Sequence, residues 1–252
     1  MMSWCGCNTP RPADLTDSRG SPSSGRRGDS VGNTRLCYII LQDERQDDLN
    51  GGYDEGYRNC NCFWGYSPGS LVTAYLSRSP INHGVRVLDL GCGEGKNAIA
   101  LASSGAAVTA VDISSHALAN ACRTFPDQPI TWVESDAVQY LQRCELFDLI
   151  IMYGLLHCLP DFATQKHLVR SAVQHTTNGG HHLVVSFNDG PHDLRAHPDF
   201  APTLTSHKTL LSLYSDQTIQ SSENALIHET HPHNGIPHYH SITRMVVEIS
   251  LV

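Results

Sequence analysis

A chain of 252 residues with 40% hydrophobic content can bury one substantial core, which points to one domain with a tail. Its 25 acidic against 17 basic residues leave a net charge of −8, which argues against a sequence-independent nucleic-acid surface and favours small or neutral substrates. No apolar run approaches the roughly eighteen residues of a membrane span, and no apolar signal core opens the chain. The nine cysteines, an odd number, are scattered through apolar segments, so a reducing cytoplasm is expected rather than an extracellular disulfide framework.

Residues 1–35 are rich in Ser, Gly, Pro, Arg and Asp without periodicity, and a disordered tail is expected there. Asp14, Asp17 and Asp29 set it apart from the acid-poor composition of transit peptides. The folded domain is expected over 36–252, beginning with a short strand or helix start at 35–41 and a charged stretch at 42–50 that ends in the turn signal Asn50-Gly51-Gly52. Residues Ser70 to Arg78 read as an amphipathic helix. From Gly84 the periodicity alternates regularly. Strands are expected at 85–90, 107–112, 130–134, 147–152 and 181–187, with helices at 95–104, 115–124, 137–143 and 161–176 between them. Val-, Ile- and Leu-rich strands alternating with helices imply βαβ units, hence an α/β fold with a doubly wound, mostly parallel sheet. A helix over 206–214 and strands at 218–229 and 239–250 follow; the turn residues 231–238 make the last two an antiparallel hairpin.

The chemistry concentrates at Val87-Leu88-Asp89-Leu90-Gly91-Cys92-Gly93-Glu94-Gly95, an apolar strand ending in an acid and a glycine turn that opens a helix. Asp112 ends the next strand, at about the distance where an acid meets a ribose diol in nucleotide-binding βαβ units. A dinucleotide G-x-G-x-x-G would place its third glycine at position 96, where Lys96 stands, and Asp89 would repel a pyrophosphate.

From about Tyr53 to the C-terminus the chain resembles the Rossmann-like S-adenosylmethionine-dependent methyltransferases, in particular the tellurite-resistance-type small-molecule enzymes. The resemblance rests on Val87–Gly95, on Val111-Asp112-Ile113-Ser114, on Ser135-Asp136-Ala137 and on the terminal hairpin. It implies S-adenosylmethionine as cofactor. Gly91, Cys92, Gly93 and Gly95 would then cradle the methionine moiety with Asp89 near its amino group, Asp112 would take the ribose hydroxyls, and Ile113 would pack on adenine. Asp136, followed by Ala137, would stand beside the adenine amino group, although Asp136 is equally suited to cap a helix over 137–143. Phe63-Trp64-Gly65 with Pro68 is similar to the family's segment that folds over the cofactor; there Trp64 either contacts the sulfonium or packs a helix on the sheet.

The resemblance implies in-line methyl transfer to a small acceptor through O, N, S or a chalcogen, without nucleic-acid or membrane partners. Phe147–Pro160 resembles the fourth strand and its loop, which nominates Tyr153 and His157 near the methyl group; His157 reads as a general base or as a packing and capping residue. His228, in the hairpin, is a third candidate for proton removal or acceptor orientation. Ten of the fifteen histidines follow residue 180, five of them (His228, His231, His233, His238, His240) around the hairpin turn. His238 and His240 share a strand face, so zinc or iron is permitted, but the resemblance favours a substrate-lining role and no metal is assigned. Rival readings are a non-catalytic cofactor-binding module and a histidine-hairpin metalloprotein.

Overall fold

A computed structural model describes residues 39–41, 53–197 and 200–251. The tail expected at 1–35 and the charged stretch at 42–50 lie outside the described residues. In chain order the elements are β1 (Ile39–Leu41), α1 (Asp54–Asn59), α2 (Ser70–Arg78), β2 (Arg86–Leu90), α3 (Lys96–Ser103), β3 (Ala107–Asp112), α4 (Ser115–Thr124), β4 (Ile130–Glu134), α5 (Ala137–Leu141) and β5 (Phe147–Tyr153). A 3-10 turn (Leu156–Cys158), α6 (Phe162–Gln174), β6 (Thr176–His192), α7 (His207–Ser212), β7 (Thr218–Glu229) and β8 (His238–Glu248) complete the elements of the described residues.

Eight strands form one sheet in the order β1-β4-β3-β2-β5-β6-β8-β7. Strands β1 to β6 pair in parallel, and β8 joins β6 antiparallel with β7 outside it. Winding runs outward from β2 through β3 to β4 and then returns to β5, so strand order reverses between β2 and β5, where α/β sheets open a crevice at their carboxyl ends. The central strands are apolar on both faces because helices cover both: Val87, Leu88 and Leu90 of β2 are fully buried. One core layer joins the sheet to α5, α6 and α7 through Leu141, Leu168, Val169 and Leu210; the other joins it to α2, α3 and α4 through Val72, Leu101, Leu118 and Trp132.

Two elements depart from expectation. Strand β6 begins at Thr176 and runs to His192, longer at both ends than 181–187, because it is shared between β5 and β8 and its pairing with β8 resumes at His192 and His240 beyond an irregularity. Residues 54–59 form a short helix that apolar periodicity cannot announce, since Tyr57 is its one buried residue. Cys92, Cys144 and Cys158 carry free thiols, whereas Cys122 on α4 is disulfide-bonded.

Candidate active site

The glycine turn leaves β2 and enters α3 with Gly91, Gly93 and Gly95 all at positive φ. A side chain is excluded twice over at Gly95, where a Cβ would lie 2.4 Å from the ring of buried Trp132. The turn is tied to β3: the Gly91 and Cys92 amides donate to the Val111 carbonyl at 2.8 and 3.0 Å. Asp112 finishes the lock, accepting from the Gly93 amide on Oδ2 at 2.7 Å and from the Ser114 amide on Oδ1 at 2.9 Å. Burial raises its carboxyl pKa against these bonds, which favour the charged form. Asp136 caps α5, its Oδ1 alone accepting from both the Val138 and Gln139 amides at 2.9 Å.

These groups open on a cavity of about 350 Å³. Of the residues nominated from the sequence, Gly91, Cys92, Gly93, Asp112, Ile113, Asp136, Ala137, Trp64, Tyr153 and His157 line it. Gly95 and Asp89 stand behind the turn instead. Asp89 is 1% exposed, neither carboxylate oxygen has a hydrogen-bond partner, and the Ala98 amide and the Lys96 charge are what favour its charged form. Burial, then repulsion from Asp112, pushes its pKa up to about 7.

His228 is elsewhere. On the β7/β8 ladder His228 faces Tyr239 while Glu229 faces His238 and Ile227 faces His240. Alternate strand residues share a face, so Ile227 and Glu229 line the cavity and His228 turns to a separate surface hollow beside Asp193, Arg195 and Tyr239. His157 does line the cavity, with its Nδ1 accepting from the Phe187 amide at 3.1 Å, its ring stacked on Phe187 and its pKa pushed down to about 3, chiefly by burial. Its proton therefore sits on Nε2, making the ring a hydrogen-bond donor in the neutral state. Tyr153 packs against the start of α2 and leaves no room for a Cβ at Gly69.

Sequence reasoning missed Glu94, Lys96 and Asn120. Glu94, between two glycines of the turn, accepts from the Phe63 amide at 2.7 Å and from Asn120 at 2.9 Å; Asn120 also donates to the Tyr57 and Cys60 carbonyls. Together they hold residues 57–63 over the turn. Above it Trp64 donates to the Tyr57 hydroxyl at 2.8 Å and meets Tyr53 edge-on. Lys96 lies mostly buried in the wall, its pKa lowered by burial against the pull of Glu229 and Glu94. Phe63 stacks on His233 of the hairpin turn at 3.7 Å, so the cap segment and the hairpin close on each other. A polar residue within a glycine turn and a polar position on α4 carry no motif signal, which is why neither stood out.

Comparison with known proteins places these features. Residues 87–180 match the family described as a methyltransferase domain. Uncharacterized methyltransferases of Mycobacterium bovis and Mycobacterium tuberculosis are 36% identical over 101 residues, 40% of this chain and 50% of theirs. A cypemycin N-terminal methyltransferase of Streptomyces is 35% identical over 115 residues, 45% of this chain and 46% of that protein. The matched segment thus spans about half the length of these relatives. Among solved structures, TehB from Haemophilus influenzae superposes with a TM-score of 0.59 at 24% identity over 72% of this chain and 62% of its own. The magnesium protoporphyrin IX methyltransferase of Synechocystis PCC 6803 superposes with a TM-score of 0.54 at 18% identity, covering 83% and 87%. The chain has the fold of Rossmann-like methyltransferases, and its residues 87–180 are similar to the methyltransferase-domain family.

Proposed function

We propose that this chain moves a methyl group from S-adenosylmethionine to a small-molecule acceptor. One observation carries the reading: the glycine turn and the carboxylates of Asp112 and Asp136 meet in one capped cavity at the β2/β5 reversal. About 350 Å³ is within the usual roughly 300–1,000 Å³ of small-molecule sites.

The residues suit that nucleoside. Each Asp112 oxygen spends one lone pair on a backbone amide and keeps another for a vicinal diol. Asp136 carries its cap on Oδ1, so Oδ2 is available to an exocyclic amine, with Ile113 and Ala137 beside it as apolar packing for a base. Asp89 behind the turn, whenever ionised, favours cationic ligand groups at the turn and repels a pyrophosphate. The rings of Tyr53, Tyr57 and Trp64 offer electron-rich faces to a cation and exclude water.

When bound, the cofactor supplies an already activated methyl group, so the protein's task is positioning and dehydration. His157, protonated on Nε2 and pinned through Nδ1, orients an acceptor by donating a hydrogen bond rather than by removing a proton. Tyr153, packed against Gly69, shapes the wall between cofactor and acceptor. The acceptor side is formed by Phe187, Ile227, Glu229, Thr230 and His231. The names of relatives point to unlike acceptors, a cypemycin N-terminus and trans-aconitate, so acceptor chemistry is a matter for this chain's own wall. Incubating the purified protein with methyl-labelled S-adenosylmethionine and fractionated cell extract tests the proposal. Label in a small molecule is expected; tight cofactor binding with no transfer to any fraction would instead favour a binding module.

A further inference from the structure

We infer that the terminal hairpin builds a transition-metal site of the zinc class, in which Nε2 of His238 and His240 and Oε1 of Glu229 hold one divalent ion beside the cavity wall. His238 and His240 come from one face of β8 and Glu229 from the position opposite His238 on β7, while His231 of the turn and His197 of the segment after β6 crowd the same spot. His238 Nε2 is the hub, 3.3 Å from His197 Nε2 and 3.2 Å from His231 Nε2. Glu229 Oε1 lies 3.8 Å from both His231 and His238 and 3.6 Å from His240 Nε2. Ligands around an ion at about 2.1 Å stand roughly 3.4 Å apart in tetrahedral geometry, and the ligand atoms of Glu229, His238 and His240 all lie within 4.8 Å of one another.

Proton accounting shows why a cation belongs there. A carbonyl only accepts, so His238 Nδ1, 2.7 Å from the Ile236 carbonyl, carries the proton and its Nε2 is a bare lone pair. Likewise His192 Nε2, 2.7 Å from the Asn188 carbonyl, is protonated; its Nδ1 is bare and takes the proton of His240 Nδ1 at 3.2 Å. That leaves His240 Nε2 bare as well, and this atom is buried without any hydrogen-bond partner. Two bare nitrogens and a carboxylate oxygen thus converge on one buried pocket. Around the hub, a single lone pair faces two imidazole nitrogens and can take only one of their protons well. One ion satisfies the two bare nitrogens and the carboxylate oxygen at once.

The surroundings are those of a metal centre. The Ile236 carbonyl orients His238 and the Asn188–His192 relay orients His240, the outer-shell arrangement that fixes ligand histidines. Aromatic rings exclude solvent: Trp64 packs against His197 and His231, Tyr53 against His197, and Phe187 stacks on His240. Because Glu229 and His231 also line the cavity, the ion would favour an acceptor with a metal-ligating group such as a thiolate, carboxylate or imidazole. That last clause alone rests on the proposed methyl transfer.

The test uses the full chain without a purification tag, stripped by chelator and titrated with Zn²⁺ by calorimetry and with Co²⁺ by visible absorption. One ion per chain and the intense bands of low-symmetry Co²⁺ are expected. His238→Gln should weaken binding about 100-fold or more and Glu229→Gln about 10-fold, while His167→Gln, on the exposed face of α6, should match the parent. No saturable binding by the parent chain, or undiminished binding by His238→Gln, would overturn the inference. Should His238→Gln fail to fold, the parent titration and Glu229→Gln decide. Cofactor takes no part in these titrations, so a protein that binds S-adenosylhomocysteine but no metal refutes this site and leaves the methyl-transfer reading standing.

Discussion

The glycine corner and the histidine hairpin face the same cavity, yet they treat their polar atoms in opposite ways. At the corner the backbone satisfies the acids: Asp112 takes two amides, Asp136 caps α5 and Glu94 latches the segment above. Across the cavity side chain faces side chain, and several imidazole nitrogens confront one another with too few protons between them. A region satisfied by its own backbone is built before any ligand arrives; one with converging lone pairs is completed by what it binds.

Breaking the corner should have the largest effect. Gly95→Ala puts a methyl into the Trp132 ring at a φ of 78°, and a loss of about 2–4 kcal/mol is expected in chemical denaturation. Next comes Asp112→Asn: one of the two backbone donors then faces an amide NH₂, and cofactor affinity measured by calorimetry should fall about 30-fold or more with the fold retained. Loosening the closure is milder. His233→Ala removes the stack on Phe63, and a three- to tenfold rise in the cofactor dissociation constant is expected. His228→Ala, on the far face of β7, should shift that constant by less than about twofold.

A pH series sharpens the contrast from outside both regions. His182 is fully buried between Thr176 and Tyr214, and burial pushes its pKa from the ordinary 6.5 down to about 3. Between those values the unfolded chain binds a proton that the folded chain refuses, so stability falls as pH drops from about 6.5 toward 3 and is indifferent to this group above 6.5. Urea midpoints at pH 8, 6 and 5 should decline in that order, and His182→Asn should flatten the decline.

Where apolar periodicity and glycine spacing set the structure, the chain announces itself: β3 at 107–112, α4 at 115–124 and β4 at 130–134 stand where the pattern puts them. The corner was legible for the same reason, since strand, turn and spaced acid are all local. The hairpin was legible only as a hairpin. His228 and Glu229 are neighbours in sequence, and one step of register decides which of them enters the cavity. His197 is distant in sequence from His238 and joins it only through the path of the chain after β6. Glu94 and Asn120 act across separate elements, and no single-segment pattern encodes that contact.

Calorimetric titration of the purified chain with S-adenosylhomocysteine, alongside NAD⁺, tests the reading of the glycine corner most directly. One saturable site for the sulfur nucleoside, weakened in Asp112→Asn, with no heat from NAD⁺, is the predicted result. A cavity that ignores the sulfur nucleoside, or that takes the dinucleotide in its place, would contradict it.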